Sequence, residues 1–164
     1  MLHELGGNAA ASLAAADITG YTPAHLAASR GHEGCLRVLH ELGGDAAASL
    51  AAADADGWTP ALMSLLSSLI SSSRREGCLR VLHELGGDAA ASLVAADAGG
   101  STPAHHAAAC GYEGCLRVLH ELGGDAAASL AAAAVNGRTP AHSAAHQDRW
   151  ERLQAKEVLA GVRV

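Results

Sequence analysis

The chain has 164 residues, enough for one compact domain or a short repeat array. Apolar residues make up 49%, largely as alanine, while aromatics are 2% and Phe is absent. That excludes a core built around large rings and suits thin layers of helices packed through Ala and Leu. The net charge is −6 and no basic run occurs, so no nucleic-acid partner is expected. The start, "MLHELGG", lacks a basic, apolar leader, and the longest greasy run, Ala61–Ile70, falls short of the roughly 20 apolar residues a span needs. No membrane partner is expected, and the default is a soluble intracellular protein, cytoplasmic or nuclear.

One fifteen-residue phrase occurs four times. "HELGGDAAASLAAAD" runs from His40 to Asp54, with near-copies at His3–Asp17, His83–Asp97 and His120–Ala134. The dipeptide Thr-Pro keeps the same beat: Thr22, Thr59, Thr102 and Thr139 are 37, 43 and 37 residues apart. The unit is therefore 37 residues, and one copy carries six more between Thr59 and Cys78. Such a period is the mark of a repeat architecture. It divides the chain into a partial unit at 1–16, a unit at 17–53, a longer one at 54–96, a unit at 97–133 and a degenerate capping unit at 134–164.

In chain order, the first residues fall inside a unit: Met1 and Leu2 align with Val38 and Leu39. An apolar face is then open, or covered by something else, and self-association through it is one expectation. Asp17–Tyr21 reads as a turn. Thr22 can cap a helix, Pro23 suits its first position, and Gly31 ends it after about two turns. Cys35, Leu36, Leu39 and Leu42 form the apolar stripe of a second helix, with Arg37 and Glu41 off it in a favourable i,i+4 pair. Gly43 and Gly44 end that helix. Asp45 then caps a short third helical segment pinned by Leu50. The next unit, "TPALMSLLSSLISSSRREGC", predicts a longer or irregular first helix, with Ser67–Ser73 as insertion or loop; an inserted segment or a misread splice site accounts for it. The third unit is regular. The fourth decays into a helix charged at Arg149, Glu151, Arg152, Lys156 and Glu157, a wettable cap in which Trp150 packs.

"DGWTPA", "TPAHLAASRGH" and "TPAHHAAACGY", each followed by a Leu-rich helix and Gly, resemble the ankyrin repeat, D-x-x-G-x-T-P-L-H-x-A-A-x-x-G-H. The resemblance covers nearly the whole chain. It implies an all-α repeat, an ankyrin-like solenoid of stacked helix-turn-helix units with β-turn fingers, joined here by Ala-rich connectors. It departs from the family in length, 37 residues against about 33, and in the unit at Thr59, which lacks the motif His. The resemblance implies structural roles for Thr22, His25, Thr59, Thr102, His105, Thr139 and His142.

Ten histidines invite a metal reading. "HELGG" lacks the second His of H-E-x-x-H. His105, His106, Cys110 and Cys115 form the one mixed cluster, but Cys115 occupies the stripe position of Cys35 and Cys78, so packing of reduced, buried thiols is preferred to a zinc site that needs four converging ligands. No metal or cofactor is expected. No phosphate-binding glycine loop or nucleophile–base set occurs, so the chain is expected not to be an enzyme.

What varies between copies is the finger. Ile18, Thr19 and Tyr21 give way to Ala55, Asp56 and Trp58, then Ala98, Gly99 and Ser101, then Val135, Asn136 and Arg138. In ankyrin arrays such positions line a concave face. The expected function is a protein-interaction scaffold that binds another protein through Tyr21, Arg30, Asp56, Trp58, Ser101 and Arg138, with Tyr21 and Trp58 as neighbouring anchors. The alternative is a structural segment or fragment of a larger array with no binding or catalytic role of its own.

Overall fold

The computed structural model describes residues 12–67 and 70–146. Each unit is assembled from three local decisions in the sequence. The first is Thr-Pro: Thr22 is extended (φ −100°, ψ 164°), and Pro23 opens α1, Pro23–Ser29, because a proline ring pre-sets the helical φ where no N–H is needed. The second is Gly31, whose φ of +70° turns the chain back. The third is the Gly pair: α2, Glu33–Leu42, stops at Gly43 and Gly44 (φ +69° and +51°), and α3, Gly44–Ala48, leaves in a new direction.

The short third helix agrees with the sequence expectation. Its cap does not: Gly43 holds that position and Asp45 lies in the first turn. A buried serine follows in each unit, its hydroxyl donating to the carbonyl three residues back, as Ser49 does to Ala46 at 2.6 Å. Leu50 is then buried completely.

The second unit comprises α4, Pro60–Leu66, α5, Ser72–Leu85, and α6, Gly87–Ala91. The third comprises α7, Pro103–Ala109, α8, Glu113–Leu122, and α9, Gly124–Ala128, which runs into a 3₁₀ turn at Ser129–Ala131. Residues 140–146 are helical again.

The expected irregular first helix in the second unit is corrected here. α4 has 7 residues, as α1 and α7 do. The extra sequence lengthens the second helix instead: α5 has 14 residues where α2 and α8 have 10. Ser72 and Ser73, expected as insertion or loop, are inserted residues that form its first turn. The reason is steric. α4 is packed between α1 and α7, with Ala61, Leu62, Ser64 and Leu65 all buried, so its length is set by its neighbours. The outer end of α5 is free to grow by a turn.

The units stack so that like meets like. α1, α4 and α7 form one row, α2, α5 and α8 a second, and α3 packs on α6 in a third. Leu36, Leu50, Leu65, Leu79, Leu82 and Leu93 belong to one continuous core that runs through the array. No helix here is long enough to be stable alone, so stacking supplies the stability. No strand occurs among the described residues, and no described helix is long and apolar enough to cross a membrane. The charged C-terminal cap and Trp150 lie outside the described residues, as do residues 1–11.

Candidate functional site

The fingers are rigid for a reason that can be read atom by atom. The Asp17 carboxylate accepts the Thr19 hydroxyl at 2.6 Å, the Thr19 N–H at 2.8 Å and the Tyr21 N–H at 3.0 Å. Those donors, the hydroxyl foremost, hold its carboxyl below the usual carboxylate range. Asp54 repeats this with the N–H groups of Asp56 and Trp58, both at 2.9 Å. Asp97 repeats it with Gly99 and Ser101, at 2.8 and 2.9 Å. In the fourth finger Ala134 cannot, and Asn136 takes over by accepting the Arg138 N–H at 3.0 Å. Each finger also bonds its neighbour: Ala55 N–H to Thr19 C=O at 2.9 Å, Ala98 N–H to Asp56 C=O at 3.3 Å, and Val135 N–H to Gly99 C=O at 3.3 Å. Gly57, at φ +81°, lies so close to the next finger that an added Cβ would stand 2.9 Å from Ala98 N.

Behind the fingers, the Thr-Pro-x-His phrase binds unit to unit. His25 Nδ1 accepts from the Thr22 N–H at 3.1 Å and lies 2.8 Å from its hydroxyl. Its Nε2 lies 2.7 Å from the Trp58 carbonyl. A carbonyl only accepts, so these partners assign the neutral tautomer with the proton on Nε2. Burial lowers the pKa of His25, against the raising effects of the Trp58 bond and of Asp54 and Asp17. His105 makes the same bridge from Thr102 to the Arg138 carbonyl at 2.9 Å. In the second unit Leu62 replaces the His and is buried, and the Thr59 hydroxyl donates to the Ser92 carbonyl at 3.2 Å instead. His142 keeps the bond to Thr139 but is exposed.

The second-helix row has its own repeated junction. Arg37 pairs with Glu84 at 2.6 Å and Arg80 with Glu121 at 2.7 Å, each arginine reaching the following unit. The expected pairing of Arg37 with Glu41 is thereby corrected. Stacked helices bring the next unit's Glu within reach, and a bond across units outcompetes a local i,i+4 contact. Glu33 and Glu76 lie against Gly77 and Gly114 of the following units, where an added Cβ would overlap their carboxylates.

The cysteines divide into two pairs. Cys78 and Cys115 are buried, and burial pushes their thiols up to about 12 and about 11. Cys35 and Cys110 are exposed. For Cys35 this corrects the expectation of a buried stripe position. His105 is engaged by Thr102 and Arg138, and His106 Nε2 lies 2.9 Å from Asp97 Oδ2. Burial alone would raise the Asp97 carboxyl, but the bonds from Ser101, His106 and Gly99 outweigh it and hold it low. Among the described residues no three His, Cys, Asp or Glu side chains are grouped to hold a metal ion.

Of the residues marked as partner-binding, Arg30, Asp56 and Arg138 are exposed, and Tyr21, Trp58 and Ser101 are half-buried. The ring that Tyr21 meets is that of His25, at 5.1 Å between centroids. Of those marked as structural, Thr22, His25, Thr59, Thr102 and His105 are buried. Two residues stand out that the sequence reading left off the site. Ile18 and Val135, at finger tips, are large aliphatics left 105% and 84% exposed. Their signal was an apolar residue in a polar turn.

A comparison with curated proteins gives no match. Residues 19–54 match the family model of the ankyrin repeat, and they run from Thr19 in the first finger through α1, α2 and α3. Residues 19–54 thus form an ankyrin repeat by that match, and the units that follow stack in the same helical pattern.

Proposed function

We propose that the chain is a non-catalytic, intracellular scaffold that binds a protein partner along the edge formed by its fingers and first helices. Ankyrin repeats generally mediate protein–protein interactions, and this reading adds the edge and its residues. The observation that carries it is the contrast within the fingers. Their backbones are held alike, by an Asp carboxylate in the first three and by the Asn136 amide oxygen in the fourth, while their tips differ and present Ile18, Asp56, Val135 and Arg138 to solvent. Exposed large aliphatics on a rigid frame are costly in water and gain free energy when a partner covers them. Tyr21 and Trp58 add half-buried aromatic surface, and the proposed edge takes in Arg30, at the end of α1, and Ser101 as well.

The test is affinity capture from a lysate of the source cells, with the whole chain and a Tyr21→Ala/Trp58→Ala version as baits. A protein held by the first and lost by the second, with circular dichroism unchanged, supports the edge. Equal capture by both rules it out. The second reading, a structural segment of an array, draws on the exposure of Val38 and Leu42; it predicts that neither bait holds a partner.

A further inference from the structure

The first described unit exposes groups that every later unit buries. Val38, Val81 and Val118 are the same residue at the same register, yet Val38 is 52% exposed while Val81 and Val118 are 2% and 1% exposed. Cys35 is exposed where Cys78 and Cys115 are buried. With Leu13, Pro23, Leu26 and Leu39, these residues line a groove of about 430 Å³. It adjoins a second hollow of about 440 Å³ that shares Pro23 and Leu26 and reaches Tyr21.

The polar groups on this face match it in register. Arg37 and Arg80 of one unit pair with Glu84 and Glu121 of the next; the equivalent Glu41 has no basic partner among the described residues. Glu33 and Glu76 fill the notches at Gly77 and Gly114, while the notch at Gly34 is empty of described atoms within 4 Å. The finger donors Ala55, Ala98 and Val135 each find a carbonyl in the preceding finger; Ile18 is their counterpart. His25 and His105 donate to the carbonyls of Trp58 and Arg138; Tyr21 C=O is the equivalent acceptor. So one face offers a carboxylate, a notch, an N–H and a C=O, all at the spacing that an Arg, a Glu, a finger carbonyl and a Thr-Pro-x-His histidine satisfy elsewhere in the molecule. Residues 1–11, "MLHELGGNAAA", contain no Arg and no Thr-Pro-x-His, so they lack the arginine and the motif histidine of this set.

We propose that this face, from Ile18 and Tyr21 across Leu26 and Val38 to Glu41, is a docking surface for one further ankyrin-type unit in the N-terminal register, whose Glu, Arg and His occupy Gly34, Glu41 and the Tyr21 carbonyl. A second copy of this chain seated face to face is a poor occupant, because it would bring Glu41 and its own acceptors against identical groups.

The periodicity defines the test. A copy of residues 17–37 fused ahead of Met1 completes a 37-residue unit, since Met1 aligns with Val38. The copy carries Cys35→Ser, so that the only Cys35 thiol belongs to the original unit. Thiol labelling is read by peptide mass spectrometry, with Cys110 as internal reference, and the Ile18 amide by hydrogen exchange. The expected result is that the fusion slows Cys35 labelling by about tenfold or more and protects the Ile18 amide, while a fusion of scrambled sequence does neither. Unchanged labelling in the fusion overturns the proposal, as does equal protection by the scrambled segment. Protection of Cys35 that rises with concentration in the unfused chain also overturns it, by assigning the face to a second copy.

Discussion

His25 is the residue through which one unit grips the next. Replacing it with Ala removes its contacts to the Thr22 N–H, the Thr22 hydroxyl and the Trp58 carbonyl, leaving that carbonyl only the Asp54 N–H, at a cost of about 1–3 kcal/mol in urea unfolding. His142→Ala, at an exposed position, should cost far less. The sign of the pH effect follows from the lowered pKa of His25. The unfolded chain binds the proton more readily, so the contribution is fully present above the ordinary histidine value of about 6.5 and is lost as pH falls below it. A wild-type minus His25→Ala stability difference that shrinks from pH 8 to pH 5 fits; one that grows contradicts the neutral tautomer. The thiols give a second residue-scale expectation: at neutral pH a maleimide modifies Cys35 and Cys110 and spares Cys78 and Cys115, whose thiols stay protonated and buried. Much at this scale is legible in the sequence, because Thr-Pro-x-His acts largely within four residues. The exposure of Cys35 is not, since "EGCLRVL" is spelled identically at Cys35, Cys78 and Cys115 and only the neighbouring unit decides what is covered.

Among the elements, the finger tolerates change at its tip and resists it at its glycine. Gly57→Ala places a Cβ in a left-handed backbone and against Ala98 N, with an expected loss of about 1–2 kcal/mol or more. Ala55→Ser, at an exposed position in the same finger, should be near neutral; equal losses in thermal unfolding would count against the close approach of fingers. The helices also show where sequence reading stops. The three helices of a unit are legible from caps, stripe and glycine pair. The site of the extra turn in the second unit is not, because the six added residues follow α4 and precede the old start of α5, and either helix could absorb them on local grounds. Packing decides it. Arg75, in the added turn, sits at the register of His32 and Tyr112, donates to the Ser67 carbonyl at 2.6 Å and lies 4.1 Å from the centre of the Tyr112 ring. That cation–π contact fixes the longer helix on the third unit.

For the whole molecule, the four-fold phrase is a statement about junctions. Repetition keeps each unit's trailing face complementary to the next unit's leading face, through leucine burial, the Arg–Glu ladder, the Glu–Gly notch and the finger bonds. The ladder pairs are about half-exposed, so each contributes at most about 1 kcal/mol and serves register more than stability. The finger edge and the open leading face both depend on that register. Amide hydrogen exchange tests it most directly. The account predicts that Ala55, Ala98 and Val135, which donate to the preceding finger, exchange slowly, Ala55 slowest, while Ile18 at the same position exchanges at nearly the rate of an open chain. Four amides exchanging alike would contradict the finger ladder, and with it the register on which the proposed binding edge is built.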